Sequence, residues 1–161
     1  QPTQTINFSA ITKLNKEKKS AIYSAVSIFC YKEISETNYQ VFLESRGQYT
    51  EFEIIEIACI NIIDQINDLT QVFLSCDKKY GLEGEINIEN QNNTMGNLFQ
   101  YGLNKHSNVK FAAYFMKHPL VDNITFKYKL IKGDFKNIIK DVEKDLVSTF
   151  SNVISELKKV S

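Results

Sequence analysis

The chain has 161 residues, 43% of them apolar and 24% charged, with 19 basic side chains balanced by 19 acidic ones. That length supports one domain, or slightly more, with a real core, and the apolar share excludes a disordered chain. Zero net charge argues against a protein whose main task is gripping nucleic acid.

Residues 1–20 read as a polar arm ending in the basic run Lys16-Glu17-Lys18-Lys19. From Ala25 to Ile34, Val26, Ile28 and Cys30 alternate with Ser27 and Phe29, and after a polar turn Tyr39, Val41 and Leu43 alternate with Gln40, Phe42 and Glu44. Period-two patterning on both sides of a turn predicts a β-hairpin. Thr50 and Glu53 then form a capping box, with Thr50 as N-cap. Behind it the stripe Phe52, Ile55, Cys59, Ile62, Ile66, Leu69 and Phe73 predicts an amphipathic helix to about Cys76. At 1.5 Å per residue it is about 40 Å long, more than a small core needs.

A loop over 78–84 leads to a short strand, Glu85 to Glu89, with Ile86 and Ile88 on one face. The segment NNTMGNLFQYGL (92–103) begins a short helix with Thr94 as N-cap, ending near Lys105. Two further strands follow, Val109 to Met116 and Ile124 to Ile131, joined by a turn containing His118-Pro119. Gly133-Asp134 starts a second long helix with the stripe Phe135, Ile138, Ile139, Val142, Leu146, Phe150, Val153 and Leu157.

The order is β-β-long helix, then β-α-β-β-long helix, so one unit occurs twice. The expected fold class is α+β, with the two units related by a pseudo-twofold axis, like a homodimer in one chain. Their long helices are expected to pack through Phe52, Ile55, Ile62, Ile66, Ile138, Val142, Phe150 and Val153. Each such side chain contributes about 1.5–3 kcal/mol when buried. The first copy lacks the strand and helix that precede the second, and the chain begins at Gln1. Both features lead to the expectation of a C-terminal piece of a longer protein.

Chemistry-bearing residues are sparse. Cys30, Cys59 and Cys76 are odd in number, widely spaced and without a C-x-x-C pair, so a disulfide framework or cysteine zinc site is not expected. They read as free thiols packed in a reducing compartment. Only His106 and His118 titrate near neutrality, and neither a phosphate-binding glycine loop nor a hydrolase or metalloprotease motif is present. There is no set of nucleophile, base and orienting group. No cofactor, metal or catalytic residue is expected. No apolar run of membrane-spanning length and no signal peptide are present, which points to a soluble intracellular protein without membrane contact.

The stretch 92–130 resembles the smaller partner of the RNA polymerase assembly platform. This family comprises the eleventh subunit of eukaryotic RNA polymerase II, the L polypeptide of archaeal polymerase and the amino-terminal domain of bacterial alpha. The resemblance lies in Thr94, Gly96, Asn97 and Leu98, then Phe111-Ala112-Ala113-Tyr114, then His118-Pro119-Leu120 at matching spacing. More loosely, Lys18-Lys19 leading into Tyr23-Ser24-Ala25-Val26, with Glu44-Ser45-Arg46-Gly47 closing the second strand, resembles the larger partner: the third subunit of polymerase II, or the D polypeptide of archaeal polymerase. Both partners in one chain resemble the fused platform subunit of large cytoplasmic DNA viruses such as African swine fever virus.

The resemblance implies a non-catalytic platform subunit on which the two large catalytic subunits assemble with small ones, with little or no nucleic-acid contact. It implies that 1–80 belong to the larger partner, without its first strand, helix and inserted domain, and 81–161 to the smaller. Docking to a large subunit is expected around Thr94, Gly96, Asn97, Leu98, Gln100, His118 and Pro119. A viral source would place the protein in host cytoplasm and virion. Departures are Asn92 and Asn93 for the family's acidic residue and histidine, Gln100 for a frequent arginine, and Ala25 for a proline. Gly96 has two open readings, docking and packing inside the domain, and Gly102 has none. Rival functions are a stand-alone dimerisation module and a small Cys/His enzyme.

Overall fold

A computed structural model describes residues 5, 7–17, 19–75, 81–116 and 123–160. After a single 3-10 turn at Ala21–Tyr23, strands β1 (Val26–Ser35) and β2 (Asn38–Ser45) precede helix α1 (Glu51–Ser75). Strand β3 (Glu83–Glu89), helix α2 (Asn93–Lys105), strands β4 (Val109–Met116) and β5 (Asn123–Leu130), and helix α3 (Phe135–Val160) follow. Every expected element is present, and the mixed α+β class holds. β3 begins two residues earlier than its alternation indicated.

The chain divides into two compact units, 1–54 and 55–161, with the cut inside α1.

Unit 1 holds an antiparallel hairpin in which Phe29 faces Leu43, Cys30 faces Phe42 and Tyr31 faces Val41. Apolar side chains therefore lie on both faces. Phe29 is 61% exposed and Ile28 56%. Strands apolar on both faces suit a sheet covered on both sides, and a two-stranded hairpin alone is marginal in water.

Unit 2 holds a three-stranded antiparallel sheet in the order β3-β5-β4. Its inner face presents Ile86 and Ile88 from β3, Ala112 from β4, and Ile124, Phe126, Tyr128 and Leu130 from β5. Glu83, Glu85, Lys127 and Lys129 alternate to the other face and form cross-strand pairs, Lys129–Glu83 at 2.8 Å and Lys127–Glu85 at 3.3 Å. One buried core joins the inner face to Phe99 and Leu103 of α2, to Phe135, Ile138, Ile139 and Val142 of α3, and to Ile66, Leu69 and Phe73 of α1.

Two ties orient the long helices. At one end the Lys136 ammonium donates to the Leu74 carbonyl at 2.8 Å, and at the other Lys158 pairs with Glu56 at 2.8 Å. The start of α3 thus meets the end of α1, and the helices run antiparallel. Lys136 also supplies a cation to carbonyls at the α1 C-terminus, where the helix dipole favours it.

The capping box at the start of α1 forms as its spacing predicts. The Glu53 amide donates to the Thr50 hydroxyl at 3.3 Å, and the Glu53 carboxylate accepts from the Thr50 amide at 2.8 Å and its hydroxyl at 2.9 Å. These bonds, the backbone one first, hold the Glu53 carboxyl below its ordinary value of 4.5. A carboxyl with a depressed folded-state value contributes stability above its unfolded value and loses it as pH falls through the folded one. We predict that the Thr50 amide resonance, followed by NMR into the acid range, titrates with a midpoint below 4.5 and that Glu53→Gln abolishes the titration. A midpoint at or above the ordinary value would show that the box does not favour the ionised form.

Candidate functional site

The NNTMGNLFQYGL segment folds as α2, but its start differs from the expected one. Asn92, not Thr94, is the N-cap: it has extended backbone angles, and its side-chain oxygen accepts from the Met95 amide at 3.1 Å. Asparagine caps at least as well as threonine, so the earlier of two competent residues takes the role. Thr94 lies in the first turn and is exposed.

Gly96 is buried, and its neighbour explains the missing side chain. A Cβ there would lie 2.5 Å from Cδ2 and 2.9 Å from Cγ of Tyr114. The Tyr114 ring on β4 thus fills the space a side chain would take. Its root atoms are involved, so no terminal rotation relieves the contact. Gly102 has an equivalent explanation on another face, since its Cβ would lie 2.6 Å from Cγ1 of Val142 on α3. The two glycines let α2 approach the sheet and the long helix together. Helix interiors disfavour glycine by about 1 kcal/mol each, and the close contacts offset that.

Side-chain amides one helical turn apart face β4. The Tyr114 amide donates to Gln100 Oε1 at 3.1 Å. The Ala112 amide donates to Asn104 Oδ1 at 2.9 Å, while Asn104 Nδ2 donates to the Ala112 carbonyl at 2.7 Å. His106 caps the C-terminus of α2. Its Nδ1 accepts from the Asn108 amide at 3.2 Å, which leaves the neutral ring's proton on Nε2, 3.8 Å from an Asp141 carboxylate oxygen.

Among the expected docking residues, Thr94 and Asn97 are exposed, and Leu98 is half-buried against the core. Gly96 and Gln100 face β4, and His118 and Pro119 lie outside the described residues. Among the expected helix-packing residues, Ile66, Ile138 and Val142 are core, and Ile62 and Phe150 pack against it. Ile55 is half-buried, whereas Phe52 and Val153 are each 41% exposed. Burial therefore fades toward the start of α1 and the end of α3.

Of the cysteines, Cys30 is exposed, Cys59 is buried with its thiol pushed above the usual range by burial, and Cys76 lies outside the described residues. Among the described residues no group of three His, Cys, Asp or Glu side chains could hold a metal ion. None of their helices is long and apolar enough to cross a membrane.

Residues 83–156 match the family described as the RNA polymerase Rpb3/Rpb11 dimerisation domain. The Rpo11 subunit of the DNA-directed RNA polymerase of Sulfolobus acidocaldarius is 39% identical over 80 residues, covering 86% of that subunit and 47% of this chain. This chain belongs to the Rpb3/Rpb11 dimerisation family of RNA polymerase subunits. Rpo11 of Saccharolobus solfataricus is 34% identical over 76 residues, covering 82% of that subunit and 46% of this chain. A DNA-directed RNA polymerase subunit of Acanthamoeba polyphaga mimivirus is 25% identical over 133 residues, covering 81% of this chain. The chain aligns with 37% of that viral subunit's length.

Sequence reasoning did not single out Asn104 or Tyr114 as partners within the site. The available signal was an uncharged amide pair at four-residue spacing on one helix face, followed by a strand that must lie near it. We predict that Gly96→Ala lowers stability by about 1–3 kcal/mol, as overpacking does, despite alanine's better helix propensity. In a Tyr114→Ala background the same change should cost less, with a coupling of about 1 kcal/mol or more in a denaturant double-mutant cycle. Zero coupling would break the link between Gly96 and the ring.

Proposed function

We propose that this chain is a non-catalytic assembly subunit of a multisubunit DNA-directed RNA polymerase, carrying both halves of the assembly platform. On this reading residues 1–80 are the C-terminal part of the larger partner's dimerisation domain, without its first strand, helix and inserted domain. Residues 81–161 are the smaller, eleventh-subunit-like partner. The halves lie about a pseudo-twofold axis and receive two large catalytic subunits together with small ones, with little or no contact to nucleic acid. The chain holds no cofactor or catalytic residue of its own, and in a viral setting it works in host cytoplasm and travels in the virion.

The observation that carries this reading is the position of α1. Its residues Ile66, Leu69 and Phe73 are completely buried in the core of the half that resembles Rpo11. A helix from outside the family-matched stretch 83–156 thus completes the core around it, as a partner subunit's helix would in a heterodimer. The viral relative, similar over more of the chain than Rpo11, supports a single-chain arrangement and a viral source. The hairpin exposed on both apolar faces supports a first half that needs further elements to cover it.

Docking falls to the outward residues of α2, Thr94 and Asn97, with the half-buried Leu98 next to Asn97 and His118-Pro119 further along the chain. Affinity capture of the tagged protein from cells making the complete polymerase should recover the two large subunits. Recovery of the chain without them favours a stand-alone dimerisation module. Asn97→Arg should reduce that recovery several-fold without changing the unfolding midpoint of the chain. Undiminished recovery removes this face of α2 from the docking surface.

A further inference from the structure

Among the described residues strand β4 lies at the margin of the second sheet, with β5 on one side only. Its run Phe111 to Met116 contains no charge, proline or glycine. Phe111 is 51% exposed and Phe115 36% exposed on the sheet's outer face. An uncharged, aromatic-rich edge strand is a ready template for pairing with another extended chain. The opposite margin is guarded differently, because β3 carries Glu83, Glu85 and Glu89.

Successive residues of an edge strand point their backbone groups alternately toward the neighbour and away from it. On β4 the outward groups include those of Ala112 and Tyr114. Three of them bond to α2: the Ala112 amide and carbonyl to Asn104, and the Tyr114 amide to Gln100. The amide of Asn104 has the same donor and acceptor as a peptide group, and it meets Ala112 through both. Gln100, one turn earlier, continues the line. Gly96, one further turn earlier, lets the helix lie close enough for these short side chains to reach.

We propose that Gln100 and Asn104 form a surrogate strand that seals the β4 edge against strand addition by a second copy of this chain. Gln100 then has an inward task, in place of the outward docking role expected for it. A carbon side chain of similar size at either position fills the space but leaves the β4 backbone groups available. Such a residue opens the edge without opening the core.

The test is Gln100→Leu/Asn104→Leu in the full chain, with two readouts. Amide hydrogen exchange at Ala112 and Tyr114 in dilute protein should speed up about tenfold, the factor for a loss near 1.4 kcal/mol per bond. At higher concentration the variant should self-associate in sedimentation runs where the parent does not, with protection returning at those two amides. Adding Ala112→Pro, which removes the outward amide, should return the variant to the parent's association state. The proposal is overturned if exchange is unchanged, or if exchange speeds up while the variant stays monomeric. Association that persists with Ala112→Pro also overturns it, since β4 is then not the contact. Should the leucine pair fail to fold, Gln100→Ser/Asn104→Ser shortens both side chains below reach, and the same outcomes apply.

Discussion

The second half of the molecule depends on one side chain from the first long helix. Phe73 near the end of α1 sits among three other rings: Phe99 of α2 at 5.4 Å, Phe126 of β5 at 5.4 Å and Phe135 of α3 at 5.9 Å between centroids. The last two meet it edge-on, a favoured arrangement worth about 0.5–1.5 kcal/mol per pair beyond burial. Phe73 touches every kind of element in that core, so sheet, short helix and long helix are positioned against it. Ile66 and Leu69, one and two turns back, continue the same contact. At about 1.5–3 kcal/mol for each buried side chain, the three contribute on the order of the whole net stability of a domain.

This gives the two ends of the long-helix pair different characters. Where α1 ends and α3 begins, the stripes are covered. Where α1 begins and α3 ends, Phe52, Ile57, Ile60 and Val153 remain exposed. The two glycines of α2 have packing roles inside this half. They are answers to crowding, one against Tyr114 and one against Val142.

Much of this is legible in the residues alone. Period-two runs mark the two hairpin strands and β3, and three-to-four spacing marks the two long helices. The Thr50/Glu53 box is a local motif, so local sequence suffices to place it. The Thr94, Gly96, Asn97, Leu98 pattern points to the right family. What escapes has non-local causes. An apolar stripe says which face of a helix seeks cover, not how far along it cover extends, so Phe52 and Val153 look equivalent to Ile66 and Val142. Asn92 and Thr94 are both competent caps, and the preference for asparagine is too slight to fix the start of α2 by itself. The purpose of Gly102 requires knowing that Val142 lies against it. The seal on β4 requires knowing which backbone groups point outward, which register decides.

The core around the family-matched residues 83–156 is completed by a helix that precedes them in the chain, α1. Denaturant unfolding of two fragments, 55–161 and 81–161, tests it most directly. Fragment 55–161 should show a cooperative transition, 81–161 alone none, and the transition should return when a separate peptide spanning 51–75 is added. A fragment 81–161 that unfolds by itself with the same cooperative midpoint as 55–161 would contradict it.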